Sequence, residues 1–265
     1  MNIGKAIRLS RIFSHASGRL CSVAVDHFIG YQKGLPAGLT DMPATLARVV
    51  AARPDAVTMN KGTAMTCWAP HAGKAALIIQ AGCFTANDSV MDVLSDPDEV
   101  VRLGADAIAV AIGVYGPNEG RYVKLLATKV TEAARYDLPV IAHIYPREFN
   151  GSDARILHDP ESIAWAVRTG IECGVDVIKV GYTGDVASFS QIVRSCPLPI
   201  VAAGGPKAET LMQGLSLMSQ AIDAGARGAT IGRNIWGAPD PGKALRAFKA
   251  VIHDGKSPAE AIESA

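Results

Sequence analysis

Three times in this chain a glycine ends a helical pattern and an apolar strand pattern begins at once. The junctions are Leu103-Gly-Ala-Asp-Ala-Ile108, Cys173-Gly-Val-Asp-Val-Ile178 and Ala224-Gly-Ala-Arg-Gly-Ala229. Glycine enters the left-handed conformation that stops a helix at little steric cost, so the cadence marks helix-to-strand junctions. Eight short apolar runs fit strands: 20–26, 55–60, 75–80, 105–111, 139–145, 176–180, 199–203 and 228–232. A loop and a helical pattern follow each run, and the intervening helices carry start signals. Asp96-Pro-Asp-Glu99 has the form of a capping box with proline at the first helical position, and Asp159-Pro-Glu-Ser162 opens another helix the same way. Strand–helix alternation implies parallel strands joined by right-handed crossovers. Eight repeats in 265 residues predict an α/β chain folded as a (β/α)8 TIM barrel. An open doubly wound sheet shares that strand count. No linker interrupts the pattern, so residues 1–265 read as a single barrel domain with a short N-terminal helical extension, and 149–154 reads as an ordinary loop.

Composition narrows the partners. A net charge of +1 without Lys/Arg runs argues against nucleic acid and membrane surfaces. No apolar run reaches membrane-spanning length, and charge punctuates the first 13 residues too often for a signal peptide. Five cysteines without a CxxC pair fit small core residues in a reducing compartment. The expectation is a cytoplasmic protein.

The chemistry concentrates at strand ends, where a barrel gathers its functional groups. Lys179 ends the sixth run, Val175-Asp-Val-Ile-Lys-Val180. An ammonium is expensive to bury, and a lysine held there responds by becoming a neutral, nucleophilic amine competent for imine formation. A lone strand lysine more often extends its head group to water, so the reading depends on its neighbours. Asp26 and His27 end the first run, and His143 and Tyr145 lie on one face of the fifth. If these faces point inward, Asp26, His143, Tyr145 and Lys179 converge: an amine, a carboxylate and a phenol, the groups that imine chemistry needs. Glycines at the ends of the seventh and eighth runs, Gly204, Gly205 and Gly232, with Arg233, suit a phosphate cradle at the usual place in such barrels. Six scattered histidines show neither HxH nor HExxH spacing, so no metal is expected.

The runs Asp176-Val-Ile-Lys-Val-Gly-Tyr-Thr-Gly-Asp185, Pro199-Ile-Val-Ala-Ala-Gly-Gly-Pro-Lys207 and Ile231-Gly-Arg-Asn-Ile-Trp236 resemble the archaeal-type class I fructose-bisphosphate aldolases. The wider group is the DeoC/LacD-like class I aldolases. Arg8-Leu-Ser-Arg-Ile-Phe13 and Val25-Asp-His27 are similar to the family's N-terminal region. The resemblance implies Lys179 as Schiff-base lysine, Tyr145 as acid–base tyrosine and Asp26 as the first-strand aspartate. It implies phosphate at Gly204, Gly205, Gly232 and Arg233, and substrate contacts from His27 and His143. It further implies a phosphorylated keto-sugar substrate, no cofactor, and a ring-like homo-oligomer such as a decamer. Three departures bear on substrate: His143 where the family tends to carry Trp, Gly181 where it tends to carry a second Lys, and Asp26-His-Phe-Ile-Gly30 in place of Asp-His-Gly. They leave imine chemistry intact and point as much to a smaller or differently functionalised keto-phosphate as to fructose 1,6-bisphosphate. Two alternatives fit the same residues: acyl transfer from a phosphorylated dicarbonyl, and a non-catalytic sugar-phosphate-binding barrel.

Overall fold

The computed structural model describes residues 2–27, 34–85, 88, 91–151 and 153–265, with the side chains of 83, 84, 91 and 153 left aside. Eight parallel strands form the barrel: β1 (Leu20–Ala24), β2 (Ala56–Asn60), β3 (Ala76–Gln80), β4 (Ala107–Val114), β5 (Val140–Asn150), β6 (Val177–Val180), β7 (Ile200–Ala203) and β8 (Gly228–Ile231). Each pairs with its sequence neighbours, β8 returns to β1, and β4 pairs with β5, so the sheet has no free edge between barrel strands. This closure decides for the barrel over the open sheet.

The predicted junctions form as the local chemistry requires. Gly104, Gly174 and Gly225 adopt φ of 74°, 78° and 101°, a region that glycine enters without a Cβ penalty. Asp96 and Glu99 close the capping box of the helix Pro97–Arg102, and the Asp159 carboxylate accepts the Ser162 N–H at the head of Pro160–Cys173.

One correction to the sequence reading concerns a loop. Residues 149–154 are not a plain loop: β5 continues to Asn150 and pairs antiparallel with Asp153–Ile156. Asn150 opposes Asp153, and Gly151 takes φ of 62° at the first central position of the connection, where tight hairpin turns favour glycine. Lys61, just past the second barrel strand, opens the helix Lys61–Cys67 and pairs with Glu99 at 2.9 Å. The bulky first loop, Phe28–Gly30, lies outside the described residues.

Side-chain alternation divides the barrel strands. Val23, Val57, Ile79, Ile108, Ile144 and Ile178 pack outward in one apolar cluster against the helices. The opposite parity fills the interior. At the N-terminal end it is apolar: Leu20, Ala56, Ala76, Ile78, Ala107, Ile141 and Val177 cluster with Ile12, and Leu9 and Phe13 pack against them. The helix Ile3–Ile12 therefore caps this end of the barrel, tied by Lys5–Asp176 and Arg11–Asp106 ion pairs at 3.0 and 3.1 Å. Two residues further along each strand, the same inward parity becomes polar: Ser22, Thr58, Gln80, His143, Lys179 and Thr230 are all buried. The change from methyl groups to polar atoms marks where the core ends and the site begins.

Candidate active site

Lys179 lies in the middle of the polar layer. Its Cα is in register with His143 on β5 and with Val201 on β7, and its side chain is only 6% exposed. Burial lowers its pKa from the ordinary lysine value; the Asp26 carboxylate opposes this and the Arg233 guanidinium adds to it. Desolvation outweighs the one attractive charge, so the neutral amine gains population.

Asp26 follows β1 at the mouth. Its Oδ2 accepts a hydrogen bond from Gln80 Nε2 at 3.0 Å, and its Oδ1 lies 3.5 Å from His27 Nδ1. His27 packs edge-on to Trp236, with ring centroids 5.4 Å apart, and Trp236 donates its indole N–H to the Ala24 carbonyl. Burial lowers the His27 pKa; Asp26 opposes this, and Lys179 and Arg233 reinforce it. His143 is held well below the usual imidazole value by burial first, then by the charges of Lys179 and His27. It is a neutral ring at physiological pH. Tyr145 shares the inward parity of β5, opposite Gly113 of β4, and is half-buried at the rim.

The glycine loops come together beside this cluster. Gly204 donates its N–H to the Thr230 carbonyl, and Gly205 turns the chain at φ of 69°. Asn234 staples this loop: its amide donates to the carbonyls of Gly204 and Pro206 and accepts from the Ala208 N–H. A Cβ at Gly204 would meet the Ile231 backbone at 2.9 Å, and one at Gly232 would overlap the His27 ring. Arg233 donates to the Gly205 carbonyl at 3.0 Å, while its buried Nε lacks a hydrogen-bond partner among the described residues. With Arg48 and Lys207 it lines an open cavity of about 690 Å³ that also reaches Thr40, Thr45 and Trp236. The Asp41 carboxylate at its edge accepts the Ala44 N–H at the start of a helix.

The structure thus brings Asp26, His27, His143 and Lys179 to one end of the barrel with Arg233 within electrostatic reach. Sequence reasoning missed four contributors. Gln80 bridges Asp26 and His143; its signal was a lone polar residue continuing the inward alternation Ala76, Ile78, Gln80. Asn234 and Trp236 hold loops through backbone carbonyls, which no spacing announces. His158 was passed over too: a Cβ at Gly181 would overlap its ring, so that ring occupies the space that a larger residue at 181 would need. Two residues beyond Tyr145 on β5, Arg147 forms a buried ion pair with Asp88 at 2.7 Å, and the Tyr122 hydroxyl donates to the same carboxylate. Among the described residues no group of histidine, cysteine and acidic side chains is arranged to hold a metal ion.

The family model for "DeoC/LacD family aldolase" matches residues 20–238. The chain belongs to the DeoC/LacD aldolase family. It is 35% identical to the 2-amino-3,7-dideoxy-D-threo-hept-6-ulosonate synthase of Halobacterium salinarum, over 99% of this chain and 96% of that one. It is 27% identical to the 2-amino-4,5-dihydroxy-6-oxo-7-(phosphonooxy)heptanoate synthase of Streptomyces griseus, over 94% of this chain and 90% of that one. Among solved structures, a Schiff-base-forming fructose-1,6-bisphosphate aldolase superposes with a TM-score of 0.81 at 28% identity, covering 94% of this chain and 99% of that one.

Proposed function

We propose that this family member is a class I aldolase that joins a phosphorylated keto compound to an aldehyde through an imine on Lys179. The observation that carries the reading is the buried Lys179 amine, with its lowered pKa, within reach of the Asp26 carboxylate at the mouth of the barrel. The neutral amine attacks the ketone carbon, a C–N bond forms, and the carbinolamine loses water to give a protonated imine. Loss of a proton from the adjacent carbon gives an enamine, whose carbon attacks the aldehyde. Hydrolysis of the new imine releases product and restores the lysine. Tyr145 moves the protons of dehydration and enamine formation, and Asp26 orients a substrate hydroxyl. The phosphate is held by Arg233 and the loop glycines Gly204, Gly205 and Gly232, and the buried Arg233 Nε, without a hydrogen-bond partner among the described residues, supports this reading.

The acceptor is an amino-acid aldehyde. Two synthases similar along nearly the whole chain bear names of seven-carbon 2-amino acids with a ketone. For the phosphorylated compound, a retro-aldol cut between the α and β carbons of the ketone gives dihydroxyacetone phosphate and a four-carbon amino-acid aldehyde. His143 supports this choice, since an imidazole at the reaction centre suits a polar acceptor.

The test is borohydride treatment in the presence of dihydroxyacetone phosphate, followed by peptide mass spectrometry. Reduction should leave a stable adduct on Lys179, absent from Lys179→Arg, whose guanidinium cannot become a nucleophile at accessible pH. With the four-carbon amino-acid aldehyde as second substrate, a seven-carbon amino-keto phosphate should accumulate. An adduct on another lysine, or turnover without any adduct, refutes the mechanism. Turnover restricted to glyceraldehyde 3-phosphate refutes the acceptor.

A further inference from the structure

Gln80 is buried, and it makes three polar contacts among the described residues. Its Oε1 accepts the Gly82 backbone N–H at 3.1 Å. That donor has no alternative role, so it fixes which end of the amide is oxygen and which is nitrogen. The Nε2 group then lies 3.0 Å from Asp26 Oδ2 and 3.0 Å from His143 Nδ1. An amide nitrogen carries two hydrogens and accepts none, so both contacts are donations by Gln80. His143 Nδ1 must therefore carry the lone pair, and the ring's single proton sits on Nε2. An Nδ1–H tautomer, or an imidazolium, would set N–H against N–H in a buried place where unsatisfied donors are costly.

We infer that Gln80 is a positioning residue: it holds the Asp26 carboxylate by Oδ2 and locks His143 as the Nε2–H tautomer, so that His143 meets substrate as a hydrogen-bond donor. His143 is the register partner of Lys179, so the donor stands beside the carbon bound to the imine nitrogen. The substrate atom it faces is an acceptor oxygen, a hydroxyl or carbonyl of the keto compound or its aldehyde partner. A wrong tautomer would place a lone pair against that oxygen. The consequence for substrate and turnover rests on the aldolase reading; the tautomer lock does not.

Two substitutions separate the roles. Gln80→Met keeps the length and removes both donors. Gln80→Glu keeps an acceptor for the Gly82 N–H but presents a carboxylate to Asp26 and to His143 Nδ1, which inverts the tautomer. The direct readout is nitrogen NMR of resting enzyme labelled with 15N-histidine, with His143 assigned from its loss in His143→Gln. Wild type should show a bare Nδ1 and a protonated Nε2, and Gln80→Glu should move the proton to Nδ1. The kinetic readout is aldol formation from dihydroxyacetone phosphate. Gln80→Met should lower kcat roughly 10- to 100-fold, the range for a residue that orients a directly acting group. KM for dihydroxyacetone phosphate should move little, because the phosphate contacts are untouched. A proton on Nδ1 in wild type overturns the inference. So does an unchanged tautomer in Gln80→Glu, or a fall in rate carried entirely by KM. Absence of aldol turnover in wild type would count against the aldolase reading alone, with the NMR result still deciding the lock.

Discussion

Replacing Lys179 with methionine should make the protein more stable at neutral pH while abolishing imine formation. Lys179 is 6% exposed, and burial lowers its pKa despite the attraction of Asp26. The unfolded chain binds that proton with an ordinary lysine pKa of about 10.4. Between the folded and unfolded values the unfolded state holds more protons, so stability rises with pH across that window. Below the folded value the protein carries the full penalty; above about 10.4 the penalty is gone. Every tenfold gain in acidity of the buried ammonium costs about 1.4 kcal/mol of stability at pH 7. An unfolding entropy of about 2.1 cal/mol/K per residue makes that about 2–3 °C in Tm for a chain of this length. Methionine has similar length, packs against apolar neighbours and does not titrate. Asp26 keeps its hydrogen bond from Gln80 after the change. The assay is a pair of thermal melts, wild type and Lys179→Met, at pH 7 and again near pH 10.5. The variant should melt higher at pH 7, and the difference should shrink at the higher pH. A variant that melts lower at pH 7, or a gap that pH does not change, would show that Lys179 is charged and well compensated. The nucleophile argument would then fail with it.

Arg233→Ala should raise KM for a phosphorylated ketone at least tenfold and leave an unphosphorylated analogue nearly unaffected; equal losses on both would make Arg233 a loop support through its bond to Gly205. His143→Trp should shift relative kcat/KM from the amino-acid aldehyde toward glyceraldehyde 3-phosphate, since indole keeps an N–H donor but brings more bulk and apolar surface; an unmoved ranking in competition assays would make position 143 a packing site. Asp88→Asn removes the carboxylate charge from a pair in which both side chains are 2% exposed. Urea denaturation should show a loss of about 3–5 kcal/mol, and a loss under about 1 kcal/mol would mean that water reaches the pair.

The fold was legible because its signals are local. Helix-ending glycines at 104, 174 and 225, capping aspartates at 96 and 159, and eight apolar runs each act within a few residues. Strand boundaries were less legible: β5 runs on to Asn150 because a tight turn beginning at Gly151 lets it pair with Asp153–Ile156, and that pairing depends on a partner strand rather than on strand propensity. The candidate site divides the same way. Lys179 stood out as a charge inside an apolar run, and the mouth residues Asp26, His143 and Tyr145 followed from strand-end placement. Gln80 did not stand out, because a glutamine ending a strand is unremarkable until the residues opposite it are known.

The sequence by itself determined the alternation of strands and helices, the common face of His143 and Tyr145, the place of Lys179 at a strand end, and the family to which the chain belongs. Periodicity and capping are properties of neighbouring residues, so they survive in one dimension. Only the tertiary structure decided that the sheet closes, that Gln80 spans 54 residues to reach Asp26 and 63 to reach His143, and that Arg147 finds Asp88 across 59. Hydrogen bonds and desolvation act over a few ångströms in space. Which groups come within that distance, which proton His143 carries and how far Lys179 is stripped of water are fixed only when the barrel closes around them.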